Sequence, residues 1–295
     1  MRIAIVCATG IGDALLMQIS AGALQKLGHE TVTFTKHDLP SAWFPTSSFA
    51  KNPTEELLLS FDAILLQYDN TATALKIRNL RKPVFAFYGD HQIKKHGPLR
   101  PGMDTTFDPN RCMAQNIAEA TARLFLTDPS CLNNGLVPPA EFQFRKYPKR
   151  VAIHPISNVT EKNWRKEGFI QLRDRLQSEG WDPVFVVPPE EAISWGTKCP
   201  HLPTLADLAA FLYESGVFIG NDSGPGHLAS NVGLSTLTIG SSKKHLNFWR
   251  PGWGMGKIAH PPSWVNYFKL TRKNWMDFVS VNKVFKIFNT LKYRI

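Results

Sequence analysis

Hydrophobic and polar positions along the chain fall into two alternating kinds of block. Short apolar, β-rich runs recur at Arg2–Cys7, 31–35, Ala63–Gln67, Pro83–Gly89, Arg150–His154, Pro183–Val187, Val217–Ile219 and Leu234–Ile239. Between them lie stretches with helical spacing. The first carries Leu15, Leu16, Ile19, Ala23, Leu24 and Leu27, with Gly28 as its stop. Others are expected near 71–80, 112–125, up to about Gly180, at 205–213 and from His227 through Val232. Strands that are apolar throughout and separated by helices imply parallel sheets covered on both faces. Two polar stretches rich in Pro and Gly interrupt the alternation. Residues 90–110 read as a long loop, and 128–150 as a linker.

This pattern predicts an α/β chain of two Rossmann-like domains, with boundaries at 1–140 and 149–278. Val281, Val284, Phe285, Phe288 and Leu291, with lysines between them, predict a terminal amphipathic helix over 279–295. Such a helix packs on a core or lies on a membrane surface.

The candidate chemistry gathers at three strand-to-helix turns. In GNDSGPGHLASNVG, Asp222 and Ser223 stand where helix N-caps stand, and Gly224 and Gly226 permit close backbone approach. His227 can donate to a phosphate or ribose oxygen. A loop that opens a helix at the carboxyl end of a parallel strand suits an anionic group. In the first turn, GIGDALL, a dinucleotide fingerprint fails because its third glycine falls at Leu15, which argues against NAD. That turn instead offers Asp13 beside Gly12. The third turn, HPISNVTEKNW, carries Ser157, Asn158, Lys162 and Trp164.

These three segments, in this order, resemble the motifs of the heptosyltransferase family, which moves heptose from ADP-heptose onto the lipopolysaccharide core. The resemblance implies the glycosyltransferase B fold, two Rossmann-like domains facing a cleft, with acceptor on the N-terminal side and donor on the C-terminal side. It also implies an inverting displacement in which Asp13 is the general base toward the acceptor hydroxyl. Lys162 would hold the donor diphosphate and offset charge on the departing nucleotide. Gly12, Ser157, Asn158, Trp164, Asp222, Ser223, Gly224 and His227 would line the donor site, with Glu190 meeting the ribose. Lys94, Lys95 and Arg100, in the 90–110 loop, are expected to meet acceptor phosphates. The fold type is metal-independent, no cofactor is implied beyond the nucleotide sugar, and no D-x-D triplet occurs in the sequence. A sugar-nucleotide epimerase shares the Asp-Ser-Gly elbow and stays an alternative, as does a non-catalytic binder of nucleotide or glycolipid.

Charge adds a partner. From Ser241 to Ile295 there are eleven Lys and Arg against one acidic residue, Asp277, so this tail holds the entire +10 formal excess of the 295-residue chain. Phe248, Trp249, Trp253, Trp264, Phe268 and Trp275 are interleaved with it. That combination suits a phosphorylated glycolipid acceptor or an anionic membrane face; nucleic acid is disfavoured, since no recognisable RNA or DNA motif occurs. Four scattered cysteines suggest neither a zinc site nor a disulfide framework. MRIAIVCATG reads as a first strand and not a secretory segment, which gives the expectation of a cytoplasmic protein, peripheral on the inner face of the membrane.

Overall fold

A computed structural model describes residues 1–157, 159–195, 199–268 and 273–292. The chain forms two compact units, Met1–Val137 and Pro138–Ile295.

The first unit runs β1 (Arg2–Val6), α1 (Ile11–Lys26), β2 (Glu30–Phe34), β3 (Ser48–Ala50), α2 (Glu55–Leu59), β4 (Ala63–Tyr68) and α3 (Ala72–Arg78). It continues through β5 (Val84–Tyr88), α4 (Ile93–His96), β6 (Asp104–Thr106) and α5 (Met113–Phe125). All pairings are parallel, in the order β3-β2-β1-β4-β5-β6. Strand order reverses beside β1, which pairs with both β2 and β4, and the carboxyl ends of these strands are where such sheets bind ligands. Ala14 through Ala21 are buried without a break, because α1 is covered by the sheet and by α5. Ser20 and Thr121 satisfy each other across that contact at 2.7 Å. Gly28 ends the helix at φ +80°, a conformation that costs glycine nothing.

The expected loop over 90–110 is a correction. It contains α4 and the edge strand β6, whose Asp104 is fully buried between Arg78 and Arg100. The units divide after Val137, inside the stretch read as a linker, and the first strand of the second unit begins at Tyr147, ahead of its apolar run.

That unit runs β7 (Tyr147–His154), α6 (Lys166–Ser178), β8 (Asp182–Phe185), α7 (Leu205–Tyr213), β9 (Ser215–Asn221) and α8 (Gly224–Asn231). Then come β10 (Ser235–Ile239), α9 (Lys243–Trp249), β11 (Gly256–Ala259) and α10 (Val281–Lys292). Its parallel order is β11-β10-β9-β7-β8. β7 and β9 slip register between Tyr147 and Val151, and Gly216 lies at that slip, where any Cβ would overlap the Pro148 carbonyl. Val284, Phe285, Phe288 and Leu291 of α10 are buried in the core, with Phe288 edge-on to Trp181 at 5.0 Å. The apolar stripe is therefore spent inside the protein and is not available to a membrane surface. Among the described residues no helix is long and apolar enough to cross a membrane.

Candidate active site

In the second unit the side chains of interest stand at the carboxyl edge of β7, β9 and β10. β9 ends in Asn221, and α8 begins three residues later with Ser223 at the N-cap position. The helix opens at Gly224, earlier than the sequence pattern suggests, because Pro225 is pre-set for a first helical turn. Gly224 and Gly226 are accordingly helical and not loop residues. Gly226 keeps the helix close to the sheet: a Cβ there would lie 3.3 Å from the Phe218 ring. The Ser223 hydroxyl donates to the Asn221 carbonyl at 3.3 Å.

Asp222 projects from this elbow with its side chain 11 % exposed. One oxygen, Oδ2, accepts from Lys162 Nζ at 3.3 Å and from His245 Nε2 at 2.9 Å. Burial pushes the Asp222 carboxyl up, but the His245 hydrogen bond and the charges of Lys162, His227 and His245 outweigh it, and the net direction is down. Asp222 is thus ionised at neutral pH, and because a carboxylate has no proton to give, Nε2 of His245 must carry the hydrogen. Lys162, Asp222, His245, Gly240, Ser241 and Leu246 line a cavity of about 100 Å³. His227 lies deeper, buried and edge-on to Trp253 at 6.3 Å.

Lys162 closes a 3-10 turn, Thr160–Lys162, in the segment that follows β7. Asn221 stitches that segment to β9. Its Nδ2 donates to the Pro155 carbonyl at 2.6 Å and to Asn163 Oδ1 at 3.2 Å, while its Oδ1 accepts from the Trp164 backbone N–H at 2.9 Å. Ser157 Oγ donates to Asn163 Oδ1 at 2.8 Å, and Trp275 Nε1 donates to the Glu161 carbonyl at 3.0 Å. Asn158 lies outside the described residues. Trp164 departs from the donor-lining expectation. Its ring is 2 % exposed, packs edge-on to Phe169 at 5.0 Å, and donates through Nε1 to the Val279 carbonyl at 3.0 Å. It anchors the segment from within the core. Glu190 is exposed in the 3-10 turn Pro189–Trp195 that follows β8.

The first unit carries Asp13 in the first turn of α1, after Gly12. Oδ2 accepts from the Gly10 N–H at 3.1 Å, and Oδ1 accepts from Gln67 Nε2 at 2.6 Å. Gln67, on β4, also accepts from the Ala8 N–H at 3.1 Å, so one amide fixes both the turn and the carboxylate. Nearby, burial foremost and then the Asp13 charge push the Cys7 thiol far up, which leaves it protonated and unreactive. Lys94 and Lys95 are exposed on α4. Arg100 departs from the expectation of an acceptor contact: its guanidinium is engaged by Asp104, at 2.7 Å from Nη2, and by the Val84 carbonyl at 2.8 Å.

The structure therefore joins Lys162 to Asp222 and adds three residues that the sequence does not single out, His245, Asn221 and Gln67. Among the described residues no group of three His, Cys, Asp or Glu is placed to hold a metal ion.

Residues 137–252 match the model of Glycosyltransferase family 9 (heptosyltransferase). Over 141 residues the chain is 28% identical to lipopolysaccharide heptosyltransferase 3 of Escherichia coli (strain K12), a match that covers 43% of this chain and 40% of that protein. It thus spans about two fifths of the curated relative's length. Two solved structures are similar over nearly the whole chain. A glycosyl transferase family 9 protein from Veillonella parvula DSM 2008 aligns with a TM-score of 0.73 at 18% identity, covering 100% of this chain and 98% of that one. The E. coli heptosyltransferase WaaC with ADP-2-deoxy-2-fluoro heptose aligns with a TM-score of 0.68 at 13% identity, covering 98% and 99%. The chain has the two-sheet glycosyltransferase B fold of these structures, and its second unit carries a segment, residues 137–252, that is similar to glycosyltransferase family 9.

Proposed function

We propose that the protein is a glycosyltransferase that moves heptose from ADP-heptose to a hydroxyl of the lipopolysaccharide core or a related surface glycan. The observation that carries this reading is the Lys162–Asp222–His245 cluster at the mouth of a cavity beside the opening of α8, inside the family-matching segment. A lysine and a histidine sharing one carboxylate form an anion site held ready by its own counter-ion. A diphosphate that displaces Asp222 as the partner of Lys162 gains a charge-assisted hydrogen bond where the leaving group develops charge.

The chemistry is a single displacement at the anomeric carbon. The acceptor hydroxyl loses its proton to Asp13 as its oxygen forms the new glycosidic bond, and the bond to the ADP oxygen breaks with inversion. Asp13 suits the base role because Gly10 and Gln67 hold its two oxygens in place at the start of α1. The displacement uses protein dipoles and Lys162 in place of Mg²⁺. The acceptor is a phosphorylated glycolipid, and the protein works in the cytoplasm at the anionic inner face of the membrane. Exposed Trp264, Tyr267 and Phe268, in the basic tail, support that last part.

The test is incubation of the purified protein with ADP-heptose and lipopolysaccharide from a heptose-deficient strain, with and without EDTA, read by mass spectrometry. Addition of one heptose with release of ADP, unchanged by EDTA, is the expected result. Turnover of UDP-sugars without any acceptor would favour an epimerase and overturn the proposal. A strict Mg²⁺ requirement would remove its metal-independent part.

A further inference from the structure

The residue that the sequence motifs leave out of the anion site is the one closest to its carboxylate. His245 stands in α9, seated by Ser242, whose hydroxyl accepts its backbone N–H at 3.4 Å. From there its ring reaches across the end of β10 to Asp222 at 2.9 Å, nearer than Lys162 at 3.3 Å and on the same oxygen. Its side chain is 39 % exposed and lines the cavity, so a ligand entering the cavity meets it directly.

We infer that His245 is a ligand of the donor's diphosphate, paired with Lys162 and binding in its imidazolium form. The inference rests on the donor reading given above and assigns a further residue to that site.

The groups facing the ring set the sign. Asp222 faces the ring at 2.9 Å, Lys162 shares the same oxygen at 3.3 Å, and His227 acts on that carboxylate from α8. Lys243 and Lys244 stand on its own helix, and the neighbouring Trp249 ring, 6.4 Å away, is neutral. One carboxylate thus stands among several basic side chains. An arriving diphosphate adds negative charge on the same side, which favours a proton on His245, and binding then takes up that proton. Linkage requires the reverse as well: donor affinity rises where the imidazole is charged and falls where it is neutral. Substituting His245 alone tells its contribution apart from that of Lys162.

The experiment is calorimetric titration of the full-length protein with ADP-ribose, at about pH 6 and about pH 8, where histidine changes charge. ADP-ribose is preferred to ADP because both of its phosphates are esterified, and the ligand itself does not titrate in this range. Wild type is expected to bind about tenfold more tightly at the lower pH. His245→Gln should bind equally at both, at the weaker level, while His245→Lys should bind tightly at both. A His245→Gln protein that keeps the wild-type pH dependence overturns the inference. So does a His245→Lys protein that binds at the weaker level at both pH values while melting like wild type. If wild type binds neither ADP-ribose nor ADP at either pH, the donor reading itself fails and this inference with it.

Discussion

Replacing Asn221 with alanine removes three hydrogen bonds that hold the Lys162 segment to the end of β9. The side chain is 1 % exposed, so water does not take its place. The Pro155 carbonyl and the Trp164 N–H lose their partner inside the fold, and a buried polar group left unsatisfied costs about 1–3 kcal/mol. The two together give a loss of about 3 kcal/mol. For a domain of this size that lowers the melting temperature by roughly 6–12 °C. Because Lys162 sits between Pro155 and Trp164, ADP binding should weaken in the same variant. Thermal and urea unfolding followed by tryptophan fluorescence read the first effect, and nucleotide titration reads the second. Asn221→Asp tests the hydrogen-bond logic more sharply. It keeps an acceptor for the Trp164 N–H but turns an oxygen toward the Pro155 carbonyl and Asn163 Oδ1, and should destabilise at least as much. A melting point for Asn221→Ala within about 1 °C of wild type, a scale on which even 1 kcal/mol would show, would refute the reasoning.

Asp13→Asn should reduce the transfer rate by a factor of about 10² to 10⁴ and leave ADP affinity unchanged, since the base acts only on the acceptor proton; steady-state transfer kinetics beside nucleotide titration check this. Arg100→Ala should destabilise the first unit by about 2–3 kcal/mol, because it strips one of two guanidinium partners from fully buried Asp104, and should leave glycolipid binding intact. Urea unfolding and a lipopolysaccharide pull-down separate the two outcomes, and lost binding in a protein of normal stability would restore Arg100 to the acceptor site. Burial, partly offset by the hydrogen bond to the Val186 carbonyl, lowers His154 from the ordinary 6.5 to about 4. The unfolded chain therefore binds more protons between these values, and stability should fall by roughly 3 kcal/mol as pH drops from 6.5 to 4. His154→Gln should flatten that slope in unfolding curves taken across the window.

The major strands and the longer helices are legible in the sequence because their apolar runs are buried on both faces, as in Ile3–Ile5 and Val217–Ile219. Helix α7 falls where its pattern places it, between Leu205 and Tyr213. Edge elements are not legible: β3 and β6 have three residues each, and their Ser, Asp and Thr carry no apolar period. The opening of α8 is misplaced because glycines suggest a loop, although Pro225 carries the opposite signal. Roles decided by distant partners are also hidden. Trp164 and Arg100 have residue types that fit a ligand, yet Val279 and Asp104 claim them. His245, Asn221 and Gln67 matter through partners 23, 57 and 54 residues away, which no local spacing can reveal.

The measurement that bears most directly on the central claim is a thermal-shift panel of ADP, UDP and GDP on wild type and Lys162→Ala, each with and without EDTA. A ligand that binds only the folded protein raises its melting point by mass action, so base selectivity can be read without an acceptor. The account predicts a shift that is largest for ADP, indifferent to EDTA and lost in Lys162→Ala. A larger shift with UDP or GDP, or an ADP shift that survives in Lys162→Ala, would contradict it.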